Sequence, residues 1–314
     1  MLFSHFTFHF SRYNSMKRKL LYLINPISGT GNKTSIEEVI RKKTSDADLD
    51  FGIFPSVESG DYSFLFPIIK EKKFTDVIIA GGDGTINHAV NSLRKMNVNF
   101  GIVPCGSGNG LAFSAGIPKN TEKALDIIFK GKTQPTDAFL INGSFACMLC
   151  GLGFDAQVAH DFANDPKRGL ITYIKKTFTN FLSAKTYPFT LNTGGRQIKT
   201  EAFFISIANS NQFGNHFTIA PQASLTDGLL DIVVMTKQNK LSVLFQAMKQ
   251  VGGYNKLQRL EVINEKASVL YFQTDKIKIN NPDGAPMHID GDPVETEKQL
   301  EIQLLPDCFK LIAP

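Results

Sequence analysis

The stretch DVIIAGGDGTINHAV, residues 76–90, decides the fold. Asp76 to Ala80 begin it as a short apolar run that stops abruptly at glycine, the pattern of a buried strand. Beyond the glycines, Ile86, Ala89, Val90 and Leu93 recur at helical spacing. Between strand and helix lie Gly81, Gly82, Asp83 and Gly84. Glycine lets a backbone turn tightly and approach a phosphate closely. A helix that starts at once aims its first N–H groups and positive dipole end at that phosphate. Asp83 cannot bind an anion itself, but it suits a magnesium ion held against phosphates. The plainer reading of the same residues is a tight turn with a capping aspartate.

Working outward, the strand–helix pattern repeats. LLYLIN (20–25) reads as a strand, followed by a helix with Ile36, Val39 and Ile40 on one face. DFGIF (50–54) and FGIVP (100–104) are further strands. TEKALDIIFKG is a helix with Thr121 as candidate N-cap and Gly131 as its terminal glycine. Such repetition implies a parallel sheet with helices on both faces, and ligands gather at the carboxyl ends of its strands. There FGIVP delivers Gly106, Gly108 and Gly110, interleaved with Ser107 and Asn109, whose small polar groups could reach ribose or phosphate. In NPISGTG (25–31), Asn25 and Ser28 could contribute, although Asn-Pro is also a common turn former.

After about residue 138 strands predominate, with a TGG hairpin turn after YPFTLN and helical stretches near 168–183 and 240–251. This predicts a β-rich, mostly antiparallel C-terminal sandwich domain behind an α/β N-terminal domain with a parallel sheet. The expected boundaries are 16–138, completed by 299–314, and 139–298. Residues 1–15, rich in phenylalanine, read as an unstructured extension ahead of Met16.

Of the 314 residues, 42% are hydrophobic and 20% charged, a globular balance that excludes large-scale disorder. The net charge of +5 suits a phosphate-bearing ligand or an anionic membrane surface and is too weak to argue for nucleic acid. No apolar run reaches the ~20 residues of a spanning helix, so the expected location is cytoplasmic with transient membrane association. Cys147 and Cys150 form a CxxC with no further zinc ligands nearby, and SFACMLCGLGF reads as a buried strand.

NPISG, GGDGTIN and GSGNGLA, in this order, resemble the catalytic domain shared by diacylglycerol, sphingosine and ceramide kinases and bacterial lipid kinases. The resemblance covers nearly the whole chain after Met16. It implies an NAD-kinase/phosphofructokinase-like ATP-binding domain, a second domain for a membrane lipid substrate, and ATP and Mg2+ as cofactors. It implies nucleotide contacts at Asn25, Ser56, Gly81, Gly82, Asp83, Gly84, Thr85, Ile86, Asn87 and Ser107. PQASLTDGLLD resembles the family's metal loop, implying Mg2+ on the Asp227 carboxylate and the carbonyls of Ser224 and Leu229. HIDGDPVE resembles its DGE motif, whose last acid is the general base; here it is Asp292, one methylene shorter than glutamate. Lys175 aligns with a supporting basic residue of some relatives. NAD kinases and phosphofructokinases share the GGDG logic on soluble substrates, and a nucleotide-binding regulator without chemistry is a third reading. Neither the particular lipid nor the oligomeric state follows from the sequence.

Overall fold

Near-continuous apolar runs build the first sheet, in a computed structural model that describes residues 7–9, 18–25, 33–154, 156, 184–212 and 218–314. The chain divides into two units, Met1–Thr136 with Cys308–Pro314, and Asp137–Asp307.

In the first unit the strands are β1 (Thr7–His9), β2 (Lys19–Ile24), β3 (Asp50–Pro55), β4 (Asp76–Gly81) and β5 (Asn99–Pro104). The helices are α1 (Lys33–Asp46), α2 (Leu65–Lys72), α3 (Asp83–Leu93), α4 (Gly110–Ser114) and α5 (Thr121–Lys130). β4 is buried along its whole length and β2 from Leu20 to Leu23, as befits parallel strands covered on both faces. The order is β1-β3-β2-β4-β5, with β3, β2, β4 and β5 parallel. The chain therefore leaves β2 through α1 to β3 on one side and returns through α2 to β4 on the other. That reversal is a topological switch point, where open α/β sheets bind ligands. Register keeps the carboxyl ends level, since Ile24 pairs with Pro55 and Ala80, and Gly81 with Pro104. At the opposite edge the fully buried Asp76 binds Arg18 Nε at 3.0 Å and Asn99 Nδ2 at 2.9 Å.

Two local expectations are corrected. Thr7–His9 is not bare chain but a strand antiparallel to β3. The N-cap of α5 is Asn120, one residue before Thr121: its carboxamide accepts from Lys123 N at 3.0 Å from an extended backbone. Gly131 ends that helix at φ +66°.

The second unit holds β7 (Ser144–Ala146), β8 (Leu149–Gly153), β9 (Tyr187–Thr193), β10 (Arg196–Ala208) and β11 (Leu230–Thr236). Helix α6 (Lys240–Val251) follows, then β12 (Val269–Thr274), β13 (Lys276–Asn280), β14 (Met287–Ile289) and β15 (Asp292–Val294). Two strands, β6 (Thr133–Ile141) and β16 (Gln299–Ile312), begin in one unit and end in the other. Among the described residues, the strands β7 to β15 pair antiparallel with one another and with β6 and β16. β10 is its hub: Arg196–Ala202 pairs with β9, while Phe204–Ala208 pairs with β8 and β11, and the register shifts between the two halves. A long strand serves two partner sets in this way by bulging. Leu191, Ile205, Ile232, Phe272 and Ile302 form the core. Cys150 is buried there as a small apolar group, whereas the buried Cys147 donates its thiol to Asp290 Oδ2 at 3.4 Å. The helical stretch foreseen near 168–183 lies outside the described residues.

Candidate active site

In the first unit, three loops leave the level carboxyl ends of β2, β4 and β5. Asn25, directly after β2, donates its side-chain N–H to the Thr85 hydroxyl at 2.8 Å and its backbone N–H to Ala80 O at 2.9 Å. A Cβ at Gly81 would lie 2.8 Å from Thr85 Cβ, so Gly81 makes room for Thr85 to turn towards Asn25. The loops after β4 and β5 touch backbone to backbone. A Cβ at Gly106 would sit 2.6 Å from Gly82 Cα, and one at Gly82 3.2 Å from Gly106 Cα. Gly82 is extended (φ −94°), so glycine is required here by close approach and not by a left-handed turn.

Helix α3 begins at Asp83 with Gly82 as an N-cap that supplies no side-chain hydrogen bond. The Ile86 N–H donates to Gly82 O at 3.1 Å and closes the first turn. Upstream amides of such a turn have no acceptor within the helix. Asp83 places a negative charge in that turn, which the dipole favours by ~0.3–1 kcal/mol. Ile86 and Asn87 are buried, Ile86 completely, so of the expected contacts in this segment the residues from Gly82 to Thr85 are the more accessible ones. Asn109 is likewise withdrawn from the polar groups offered to a ligand. It is fully buried, and its carboxamide accepts from Gly106 N and donates to Gly106 O, each at 2.8 Å, closing the GSGNG loop on itself. Ser107 stands exposed beside it. Ser56 follows β3, donates its N–H to Ile24 O at 2.9 Å, and its hydroxyl meets the Tyr62 phenol, which burial pushes up. The structure thus gathers Asn25, Ser56, Gly81–Thr85 and Ser107 at one sheet edge. Ser28 and Lys175 lie outside the described residues.

In the second unit the IDGD motif is a two-residue hairpin. Ile289 pairs with Asp292, and the intervening Asp290 (φ 50°) and Gly291 (φ 91°) both take the left-handed conformation that a type I′ turn needs. The two acids part ways. Asp290 is buried, and its carboxylate accepts backbone N–H groups of Cys147, Met148 and Leu149, each at 2.9 Å. Asp292, two residues on, is exposed. His288 is buried and its Nδ1 accepts from Gly291 N at 3.2 Å, a structural role.

The loop before β11 carries Ser224, Asp227 and Leu229. Asp227 accepts from Leu229 N at 3.1 Å in an Asx turn. Burial raises its carboxyl above the usual range, and the neighbouring Asp137 adds to this. Asp137 braces the loop: it accepts from Gly228 N and Asp307 N, each at 2.8 Å. Asp231, fully buried in β11, is pushed up to about 6, chiefly by burial, although Tyr271 OH (2.6 Å) and Gln273 Nε2 (2.9 Å) donate to it. Sequence reading missed Asp137, Asp231 and Asp290. A lone aspartate inside an apolar run, as in TDAFLI and LLDIVV, is the signal that could have found the first two.

A family model for the diacylglycerol kinase catalytic domain matches residues 19–141. A second, for the YegS C-terminal NAD kinase beta sandwich-like domain, matches residues 149–313. The chain belongs to this lipid-kinase family. It is 26% identical to a Bacillus subtilis diacylglycerol kinase over 88% of this chain and 90% of that one. It is 26% identical to a Mycobacterium tuberculosis diacylglycerol kinase over 94% and 95%. A crystal structure of a Bacillus anthracis diacylglycerol kinase superposes with a TM-score of 0.72 at 21% identity, covering 96% of this chain and 98% of that one. A second solved chain from that organism gives 0.78 at 22%. The fold class is the family's: a parallel α/β domain followed by an antiparallel β sandwich.

Magnesium is the family's usual metal. No group of three or more His, Cys, Asp or Glu side chains in metal-binding array occurs among the described residues. The Asp227 set that the resemblance implies would be of another kind, one carboxylate with two main-chain oxygens, and hard oxygen donors of that sort would fit a hard cation. Asp137 and Asp231 add negative charge around the same loop, which a cation would relieve.

Proposed function

We propose that this lipid kinase transfers the terminal phosphate of ATP to a hydroxyl of a membrane lipid, such as diacylglycerol or a sphingoid base. The observation that carries the reading is the contact of Gly82 with Gly106 beside the uncapped start of α3, at the switch point of a parallel sheet. Main-chain N–H groups there suit the phosphates, and Asn25, Ser56, Thr85 and Ser107 supply polar side chains around them. Asp83 would hold the magnesium that accompanies ATP; bound magnesium neutralises phosphate charge. A structural magnesium would rest on Asp227 with the carbonyls of Ser224 and Leu229.

Asp292 acts as general base. It takes the proton from the lipid hydroxyl as that oxygen bonds to the terminal phosphorus and the bond to the ADP oxygen breaks. Asp290 cannot serve, because three N–H groups hold its buried carboxylate. A base of this kind contributes ~10²–10⁴-fold. No described helix is long and apolar enough to cross a membrane; in this reading the enzyme meets its lipid by transient docking from the cytoplasm.

Labelled ATP offered with a lipid panel and, separately, with NAD tests this. Label should enter a lipid, and Asp83→Asn should abolish transfer with the fold intact. Label in NAD, or nucleotide binding with no transfer to any acceptor, would overturn it.

A further inference from the structure

Only six large apolar side chains are exposed among the described residues, and five of them lie between Phe245 and Val262. Their exposure runs from 40% at Leu257, through 57% at Phe245 and 59% at Met248, to 75% at Tyr254 and Val262. Scattered singly, exposed apolar groups mean little; concentrated in one short segment they mark a binding surface.

The segment is pinned from beneath. On α6, Val243 and Gln250 point inward, and the buried Gln250 donates to Ile219 O at 2.9 Å. Phe245 and Met248, three residues apart, share a different face. After the helix, Asn255 donates back to Gln250 Oε1 at 3.0 Å and Tyr254 N to Lys249 O at 2.8 Å. Gln258 N bonds Tyr271 O at 2.7 Å, and Ile263 is buried again. With the backbone held, the apolar groups cannot turn into the core.

Charge accompanies them. Residues 240–262 contain Lys240, Lys249, Lys256 and Arg259 against one acid, Glu261. Lys249 Nζ lies 5.8 Å from the Phe245 ring centre, so cation and aromatic sit side by side. Aromatic and aliphatic groups interleaved with cations suit the headgroup region of an anionic bilayer. A protein partner of ordinary composition gives no reason for this excess of positive charge.

We propose that the segment Phe245–Val262 is the docking surface of this enzyme for an anionic lipid bilayer, an inference that rests on the reading of its substrate as a membrane lipid. The test uses the full chain and vesicles of phosphatidylcholine with or without phosphatidylglycerol, read by co-sedimentation. Wild type should bind the anionic vesicles. The triple variant Phe245→Ser, Met248→Ser, Tyr254→Ser should bind at least about tenfold more weakly at low and high salt alike. The variant Lys249→Gln, Lys256→Gln, Arg259→Gln should lose roughly fivefold per cation at low salt, the difference vanishing at high salt. All these side chains are at the surface, so melting temperatures should match wild type. A wild type that ignores anionic vesicles, or variants that bind as it does, would overturn the proposal. So would a wild type that is dimeric without lipid while the apolar variant is monomeric, since the surface would then serve a second copy of the chain. Activity on a short-chain lipid dissolved as monomers separates docking from catalysis. It should be equal in all three proteins, while activity on vesicle-borne lipid falls in the variants. If wild type phosphorylates neither form, the substrate reading fails, and the vesicle binding still decides the docking surface.

Discussion

Asp290 and Asp292 stand two residues apart in one hairpin and have opposite fates. Asp290 turns inward and ties the start of β8 with three N–H bonds; Asp292 is exposed on the first residue of β15. Neutralising each should therefore break different things. Asp290→Asn replaces an acceptor-only group by one whose NH2 meets backbone N–H donors. It should destabilise the second unit by ~1.5–3 kcal/mol, seen in denaturant unfolding. Asp292→Asn should leave unfolding unchanged and cut turnover at least ~10²-fold, with ATP affinity retained. Full turnover in Asp292→Asn would place the base elsewhere. The motif HIDGDPVE put both acids in view, but nothing in it says which one is buried.

Elements matter through how closely they approach. The loops after β4 and β5 touch at Gly82 and Gly106, so Gly106→Ala must push them apart. Gly106 has no left-handed backbone to defend, and the effect is purely steric. It should cost ~1–3 kcal/mol of stability, as overpacking does, and weaken ATP binding at least tenfold in calorimetry. Unaltered affinity would mean that the loop contact does not shape the nucleotide site. The loop before β11 makes a second case at this scale. If Asp227 holds a structural cation, Asp227→Ala and chelation of the wild type should lower the melting temperature alike, and chelation should not affect the variant further. An unchanged melting temperature in both would reduce the loop to a simple Asx turn.

At the scale of the molecule, the chain returns to its first unit at the very end. Cys308–Pro314 belongs with Met1–Thr136, and there β16 pairs with β5 in parallel, Lys310 against Asn99. Leu311 and Ile312 are completely buried, and Phe309 packs edge-on against Phe100 with ring centres 5.8 Å apart. Each such side chain contributes ~1.5–3 kcal/mol by burial. Removing residues 308–314 strips three of them and should unfold the first unit, which proteolysis or loss of ATP binding would report. A truncated protein that still binds ATP would show that the first unit holds without them.

Periodicity in the sequence determined the element types: β2, β3, β4, β5 and α5 follow from apolar runs and helical spacing, because those patterns express burial on two faces or one. Turn chemistry was equally local, as in the TGG hairpin between β9 and β10. Motif order determined the family, since three glycine loops in sequence fix where a parallel sheet presents its carboxyl ends. What depended on residues distant in sequence could not be read there. The contact of Gly82 with Gly106, the closure of Asn109 on its own loop, and the pairing of Thr7–His9 with β3 exist only once the sheet has formed. The same holds for Asp290 reaching back more than a hundred positions to Cys147. An aspartate looks the same in a sequence whether a strand of amides or open water awaits it; only the tertiary structure supplies the partners that decide which.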